Sequence, residues 1–505
     1  MRKPTLASLA RLLWALTLVT LPVTSFRFLP FMGAGTFVRP LALYPLALLL
    51  PLLLYQVWTK RLTRPWNGAL TILLALTLTA LLATAFGSLL APLELRGQTY
   101  FDRALRAWLT LVIGLSFFLA AVWMNRDEAG LKFSLKWLLT GLVLHIVWGG
   151  IQAVGLQLGL RGELNEIQTL FSVRGLPRNR RIAGFAYEPS WLAGQLAALY
   201  LPWLFASLLA KYRLTKLKWL EPALLLGGLV TLLLTYSRGG LFITAGAGLL
   251  TFLAAGSGVM KDASAWFRAG FSRSGGKGKW GRMQAAASRI GVSLILIGAL
   301  AGAAVFLAGK GYIAALWNSS AESLWDYAID AYLGPRLAYV VAAWEAFQLH
   351  PLTGVGLGAS GFHMYANMPD WALQGVPEIA RQLSPSSNLY PNPKNLYVRL
   401  LTETGLPAFL VYLSFLFNLL AYALKGLRRA EPFWRFVGAA GFFSVTAIAA
   451  QGISQDSFAM PEMWVNLGIL AGLVSFALES ENNLTPTPLL AKRPHRGQGE
   501  GQEQK

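Results

Sequence analysis

The sequence predicts an all-α polytopic membrane protein with about twelve transmembrane helices and one long extracytoplasmic loop. Three observations predict it. Of 505 residues, 55% are hydrophobic and only 13% are charged, where soluble chains are about a quarter charged. Apolar runs of about 18 residues or more recur along the chain, each able to cross ~30 Å of hydrocarbon as a helix. Lysine and arginine concentrate in alternate connections between those runs, as the positive-inside bias requires.

Taken in order, candidate spans lie near 6–24, 38–58, 67–91, 104–124, 133–157, 190–210, 218–236, 240–257, 290–309, 395–424, 432–455 and 463–479. Glycine and proline within them are no objection, since both are common in membrane helices. The first run lacks a small-residue cleavage pattern and reads as a retained first helix. Basic residues fall on one side in turn: Lys60, Arg61 and Arg64; Arg126, Lys132 and Lys136; Lys211, Arg213, Lys216 and Lys218. Lys261 to Arg289 and then Lys425, Arg428, Arg429 and Arg435 continue the series, together with Arg2, Lys3, Lys492, Arg493 and Arg496. That side is expected to be cytoplasmic, with both termini inside. The division is then 1–309 with an external loop 158–189 and a cytoplasmic loop 258–289, an outer loop 310–394, spans over 395–480, and a polar tail 481–505 read as disordered. The Gly-, Ser- and Lys-rich 258–289 segment reads as flexible and placed to meet anionic lipid.

The net charge of +21 is accounted for by this bias. No basic soluble domain is present, so no nucleic-acid partner is expected. The chain has no cysteine, which excludes disulfides, iron–sulfur clusters and thiol catalysis. No HExxH, CxxC or Asp-x-Asp occurs, and His350 and His363 are distant in sequence from other candidate ligands. Neither a metal nor another cofactor is expected.

Candidate chemistry sits where polar segments meet membrane helices. The 158–189 loop holds Arg161, Arg174, Arg178, Arg180 and Arg181 against the charge rule. Tyr236-Ser237-Arg238-Gly239-Gly240 is a tight outer turn that puts an arginine at the membrane edge. Such an arginine either has a function or snorkels as an anchor. Pro335 to Pro351 reads as an amphipathic helix with an apolar stripe of Leu337, Val340, Val341, Trp344 and Phe347. Arg336 at its start opposes the helix dipole, and becomes useful if an anion binds there; the alternative is a solvated arginine. Gly354-Val355-Gly356-Leu357-Gly358-Ala359-Ser360-Gly361 contains GxGxxG but lacks the strand a dinucleotide site needs. It reads as a flexible turn back to the membrane. In Tyr187-Glu188-Pro189-Ser190, Ser190 is placed to cap a helix starting at Trp191, with Glu188 favouring its dipole. A general base is the other reading of Glu188.

Arg181-Ile182-Ala183-Gly184-Phe185-Ala186-Tyr187-Glu188-Pro189-Ser190 resembles the segment before a middle helix of Wzy-type polysaccharide polymerases. Ser237-Arg238-Gly239, Arg336 followed by His350-Pro351-Leu352-Thr353-Gly354-Val355-Gly356, and Asn395-Leu396-Tyr397 through Glu403-Thr404-Gly405 resemble further motifs of that superfamily, in the same order. The superfamily comprises O-antigen polymerases and O-antigen ligases, with folds related to lipid-dependent GT-C glycosyltransferases. Ligases and many relatives have His-Asn where this chain has Lys394-Asn395, which favours the polymerase.

The resemblance implies transfer of glycan from an undecaprenyl-diphosphate carrier to a sugar hydroxyl, at the outer face of the cytoplasmic (inner) membrane. It implies lipid-linked glycans and a chain-length regulator protein as partners. Glu188, Arg238 and Arg336 become the catalytic candidates; Arg180, Arg181, Lys394, Asn395 and Tyr397 become substrate-binding candidates. An O-antigen ligase and a glycolipid flippase are the competing readings.

Overall fold

The computed structural model describes residues 5–28, 37–62, 67–90, 92–177, 179–269, 279–309, 314–331 and 333–484. Among them the chain is helical, and its only β pairings are isolated bridges. The bundle begins with α1 (Leu6–Thr20), α2 (Leu43–Trp58), α3 (Gly68–Leu89), α4 (Tyr100–Met124) and α5 (Glu128–Gln157). A short α6 (Arg161–Phe171) precedes α7 (Pro189–Ala210), α8 (Leu220–Leu234), α9 (Arg238–Ala255), α10 (Ser257–Arg268) and α11 (Lys279–Ala308). The segment between α11 and α17 folds into α12 (Leu324–Asp330), α13 (Gly334–Leu349), α14 (Ser360–Ala366), α15 (Asp370–Gly375) and α16 (Pro377–Leu383). Three long helices close the chain: α17 (Leu396–Leu427), α18 (Pro432–Gln451) and α19 (Pro461–Leu484).

Of these, α3, α4, α5, α7, α9, α17 and α18 are long and apolar enough to cross a membrane, and α1, α2 and α8 are shorter apolar helices. The remaining two expected spans, 290–309 and 463–479, fall within α11 and α19. The chain is thus a polytopic all-α membrane protein. Local signals set the helix starts. Thr99 and Asp102 form a capping box at α4, Asn67 caps α3 and Asp127 caps α5, each satisfying N–H groups that have no partner within the helix.

The second span starts later than the sequence suggests. Residues 38–41 pair instead with 23–26, through Phe26 N–H to the Arg39 carbonyl (2.7 Å), Arg39 N–H to Thr24 (2.8 Å) and Leu41 N–H to Val23 (2.9 Å). The 258–289 segment also differs from expectation: its first part is the regular helix α10, and 270–278 lie outside the described residues. Of the expected disordered tail, 485–505 likewise lie outside them.

The interior is closed by small residues, aromatics and buried amides. Asn466 of α19 accepts from Trp203 Nε1 (2.8 Å) and donates to the Ala198 carbonyl (2.7 Å), where α7 passes through a π turn at Leu196–Tyr200. Such amide bridges hold membrane helices together where no hydrophobic force does. Outward-facing Leu48, Leu82, Leu105, Phe242 and Leu253 are exposed and suit lipid contact.

The segment carrying α12 to α16 is clasped to α17. The GxGxxG stretch is a tight clasp and not a flexible turn: Val355 and Gly356 N–H groups donate to the Thr402 and Glu403 carbonyls (both 2.9 Å), and Leu406 N–H donates to Pro351 (2.8 Å). Gly354 has φ +65°, and a Cβ there would stand 2.5 Å from the Glu403 carbonyl carbon, so only glycine allows this approach. The helix α13 also packs differently from the pattern reading. It buries Ala338, Tyr339, Ala342, Ala343 and Ala346, while Trp344 of the predicted apolar stripe is exposed. Alanines win because α13 lies close against α17; Thr402 Oγ1 donates to the Ala343 carbonyl across that contact (2.7 Å).

Candidate active site

A cavity of about 340 Å3 opens at one end of the bundle. Arg181, Glu188, Arg238 and Arg336 all line it, although they lie far apart in sequence. Three helices start on its wall: α7 contributes Pro189 and Ser190, α9 contributes Arg238, Gly239 and Gly240, and α13 contributes Arg336. Helix N-termini carry partial positive charge and unsatisfied N–H groups. Three such termini together with three guanidiniums make this a site built for an anion.

Each side chain is placed by identifiable contacts. Arg181 Nε donates to the Thr235 carbonyl (2.7 Å), tying the segment before α7 to the Ser-Arg-Gly turn. Tyr236 adopts φ +46°, and Ser237 caps α9 by accepting from Gly240 N–H (3.4 Å). Arg238 is thereby the first residue of α9 and is 8% exposed. Arg336 Nη1 donates to the Ser454 carbonyl (2.6 Å), which anchors the connection after α18 to the cavity.

Glu188 is half-buried. It occupies the N-cap position of α7, but neither its side chain nor that of Ser190 caps the helix. The helix begins at Pro189, two residues earlier than expected, because proline suits a first position that needs no N–H. The Ser190 hydroxyl instead donates to Glu188 Oε1, and Arg174 Nη1 donates to Oε2 (3.1 Å). The Arg174 guanidinium also lies over the Tyr187 ring (5.0 Å). Glu188 therefore meets the cavity as a paired carboxylate.

Four predicted binding residues are not on the cavity wall. Arg180 points to Gln157 Oε1 (3.2 Å) on the surface. Lys394 has φ +53°; its N–H donates to Asp456 Oδ2 (3.0 Å) and its ammonium lies over the Tyr339 ring (5.6 Å). Asn395 caps α17, accepting from the N–H groups of Tyr397 and Val398 (3.0 and 3.1 Å). The Tyr397 hydroxyl donates to the Ala449 carbonyl of α18. In this arrangement Lys394, Asn395 and Tyr397 hold the start of α17 beside the cavity.

The sequence reading missed another part of the wall: Gln451, Ser454 and Gln455, at and just after the end of α18. Gln451 is 3% exposed, and its Oε1 has no hydrogen-bond partner among the described residues. A Cβ at Gly194 would stand 2.5 Å from Gln451 Nε2, so glycine there is what lets the amide in. Behind this wall lies a buried ion pair, Arg399 Nε to Glu403 Oε2 (2.9 Å). Ser360 donates to Glu403 Oε1 (2.8 Å), and Arg399 Nη1 donates to the Asp456 carbonyl. Leu396 N–H donates to the Gly452 carbonyl (2.7 Å). The 452–456 connection is thus fixed from α13 and α17 together. The i,i+4 spacing of Arg399 and Glu403 was the one signal that could have revealed this network.

His350 and His363, distant in sequence from other ligands, come together with ring centroids 6.0 Å apart. Burial, and then the neighbouring His350, hold the His363 imidazole below its ordinary value. Among the described residues no group of three or more His, Cys, Asp or Glu side chains is arranged to hold a metal ion.

Residues 223–413 match the family model Wzy_C, described as O-Antigen ligase. No curated protein matches the chain. The matched segment contains Arg238, Arg336 and the clasp on α17, while Arg181, Glu188 and Gln451 lie outside it.

Proposed function

We propose that this membrane protein, whose residues 223–413 match the O-antigen ligase family model, is a glycosyl-transferring enzyme of the O-antigen polymerase/ligase type and carries out the polymerase reaction. The sugar hydroxyl of one lipid-linked repeat unit attacks the anomeric carbon of a second. The bond from that carbon to the undecaprenyl diphosphate breaks, and the hydroxyl proton passes to Glu188. The reaction takes place at the outer face of the cytoplasmic membrane.

The observation that carries this reading is the convergence of Arg181, Arg238 and Arg336 with three helix N-termini on one cavity. A leaving diphosphate gains charge as the bond breaks, and preorganised donors stabilise that charge most where water is excluded. Guanidinium groups suit the task because each presents two parallel donors to a phosphate. The cavity lies at an end of the bundle, so a carrier's diphosphate can reach it while its lipid tail stays in the bilayer. Gln451 offers an uncompensated carbonyl to a sugar hydroxyl from another part of the same wall. The arginines cluster at the end of the bundle rather than at mid-depth, which supports transfer over the flippase reading.

The family description favours ligation as the second reading. Lys394 is not on the cavity wall, its ammonium lying over Tyr339, which supports the polymerase, since a base at that position would have to act from beside the cavity. Reconstituted protein supplied with purified lipid-linked repeat units should yield a ladder of products. A single transfer, and only onto lipid A core, would make it a ligase.

Activity should also survive a strong chelator. Glu188 is the only carboxylate on the described cavity wall and is already paired with Arg174, so the arginines are left to serve the diphosphate. Loss of activity that added magnesium or manganese restores would contradict this assignment.

A further inference from the structure

The opposite end of the bundle carries a second charged cavity, of about 300 Å3. Arg428 and Arg429, from the connection between α17 and α18, and Arg435, in the first turn of α18, line it, with Ala210 at the end of α7 and Ala255 and Ser257 where α9 passes into α10. Both α9 and α18 run from one cavity to the other. At 1.5 Å per residue their 18 and 20 residues reach ~27 and ~30 Å, close to the thickness of the hydrocarbon layer. The second cavity therefore stands at the level of the far leaflet's phosphates.

Two independent features mark this end. Among the described residues neither Arg428 nor Arg435 is in an ion pair, so the cavity concentrates positive charge that a bound anion would relieve. Beside it, α10 buries none of its 12 residues. Val259, Met260, Ala263, Trp266 and Phe267 nevertheless fall on one face of that helix, with Lys261, Ser264 and Arg268 on the other. Met260, Trp266 and Phe267 are exposed. A helix so patterned, with its apolar side chains exposed, belongs in the membrane interface. An exposed ion pair between Asp262, midway along it, and Lys211 joins it to the bundle.

We propose that this end binds one anionic phospholipid. The headgroup phosphate sits among Arg428, Arg429 and Arg435, the acyl chains run along exposed Leu250 and Leu253 of α9, and α10 lies in the interface beside them. The glycosyl-transfer site is not involved.

The test uses the full-length protein in phosphatidylcholine nanodiscs containing a minor fraction of phosphatidylglycerol, with retained lipid counted by native mass spectrometry. Phosphatidylglycerol should be retained roughly 10-fold over phosphatidylcholine, given the usual gain per basic residue at an anionic surface. The double variant Arg428→Gln/Arg435→Gln should lose most of that preference, and Arg428→Lys/Arg435→Lys should keep it. Equal retention of the two lipids by the unmodified protein, or an unchanged preference in the glutamine variant, would overturn the proposal. Displacement of phosphatidylglycerol by millimolar inorganic phosphate would overturn it as well, making this a site for free phosphate. Should the glutamine variant fail to fold, the unmodified protein still decides: the preference must weaken as salt rises, and a salt-independent preference counts against the arginines.

Discussion

Arg238→Lys is expected to lower the proposed glycosyl-transfer turnover by about a hundred- to a thousandfold, and Arg336→Lys to have an effect of the same kind. Lysine keeps the charge and loses the flat, two-pronged donor that a diphosphate oxygen pair needs. Removing one donor to a developing charge typically costs ~3–4 kcal/mol. Arg238 is the more sensitive position. It is 8% exposed at the first residue of α9, where a lysine ammonium would be held out of water without the guanidinium's spread of donors. Arg336 also anchors the 452–456 wall through the Ser454 carbonyl, so its loss should loosen acceptor binding besides. An arginine that only snorkels tolerates lysine, because stem and charge survive. Turnover is measured beside thermal stability in detergent. A stable Arg238→Lys protein working at the unmodified rate would remove that residue from the chemistry.

Glu188→Gln is expected to cost ~10²–10⁴ in rate with the fold intact, as loss of a general base does. The fold should survive because the Glu188 ion pair with Arg174 is part-exposed on both sides, at 34% and 45%, and pairs of that kind contribute ~0–1 kcal/mol. Glutamine can also still accept from the Ser190 hydroxyl. A drop in stability with turnover preserved would instead make Glu188 a structural partner of Arg174, leaving the hydroxyl to be activated by another group.

Much of the cavity was legible in the sequence because its cations stand beside the punctuation of helix starts. Pro189, the Ser237 cap and Pro335 each announce a helix, and Glu188, Arg238 and Arg336 lie within a residue or two of them. What was not legible is distance across the bundle. Lys394, Asn395 and Tyr397 belong to a recognisable motif, yet cap and brace α17. Gln451 ends an apolar helix with no motif around it, and reaches the cavity only because Gly194 leaves room on α7. The alanine face of α13 was missed because hydrophobicity ranks Leu, Val and Trp above Ala, whereas close approach of two helix backbones, as between α13 and α17, selects small side chains. The start of α2 was misplaced because its first apolar residues are spent pairing with 23–26.

The central claim is that the arginine cavity holds the diphosphate of a lipid-linked glycan. A cryo-EM structure of the reconstituted protein with an undecaprenyl-diphosphate-linked glycan bound tests it most directly. The account predicts diphosphate density within hydrogen-bond reach of the Arg238 and Arg336 guanidiniums, with the first sugar between Glu188 and Gln451. A diphosphate bound elsewhere, with the cavity formed by α7, α9 and α13 left empty of it, would contradict the account.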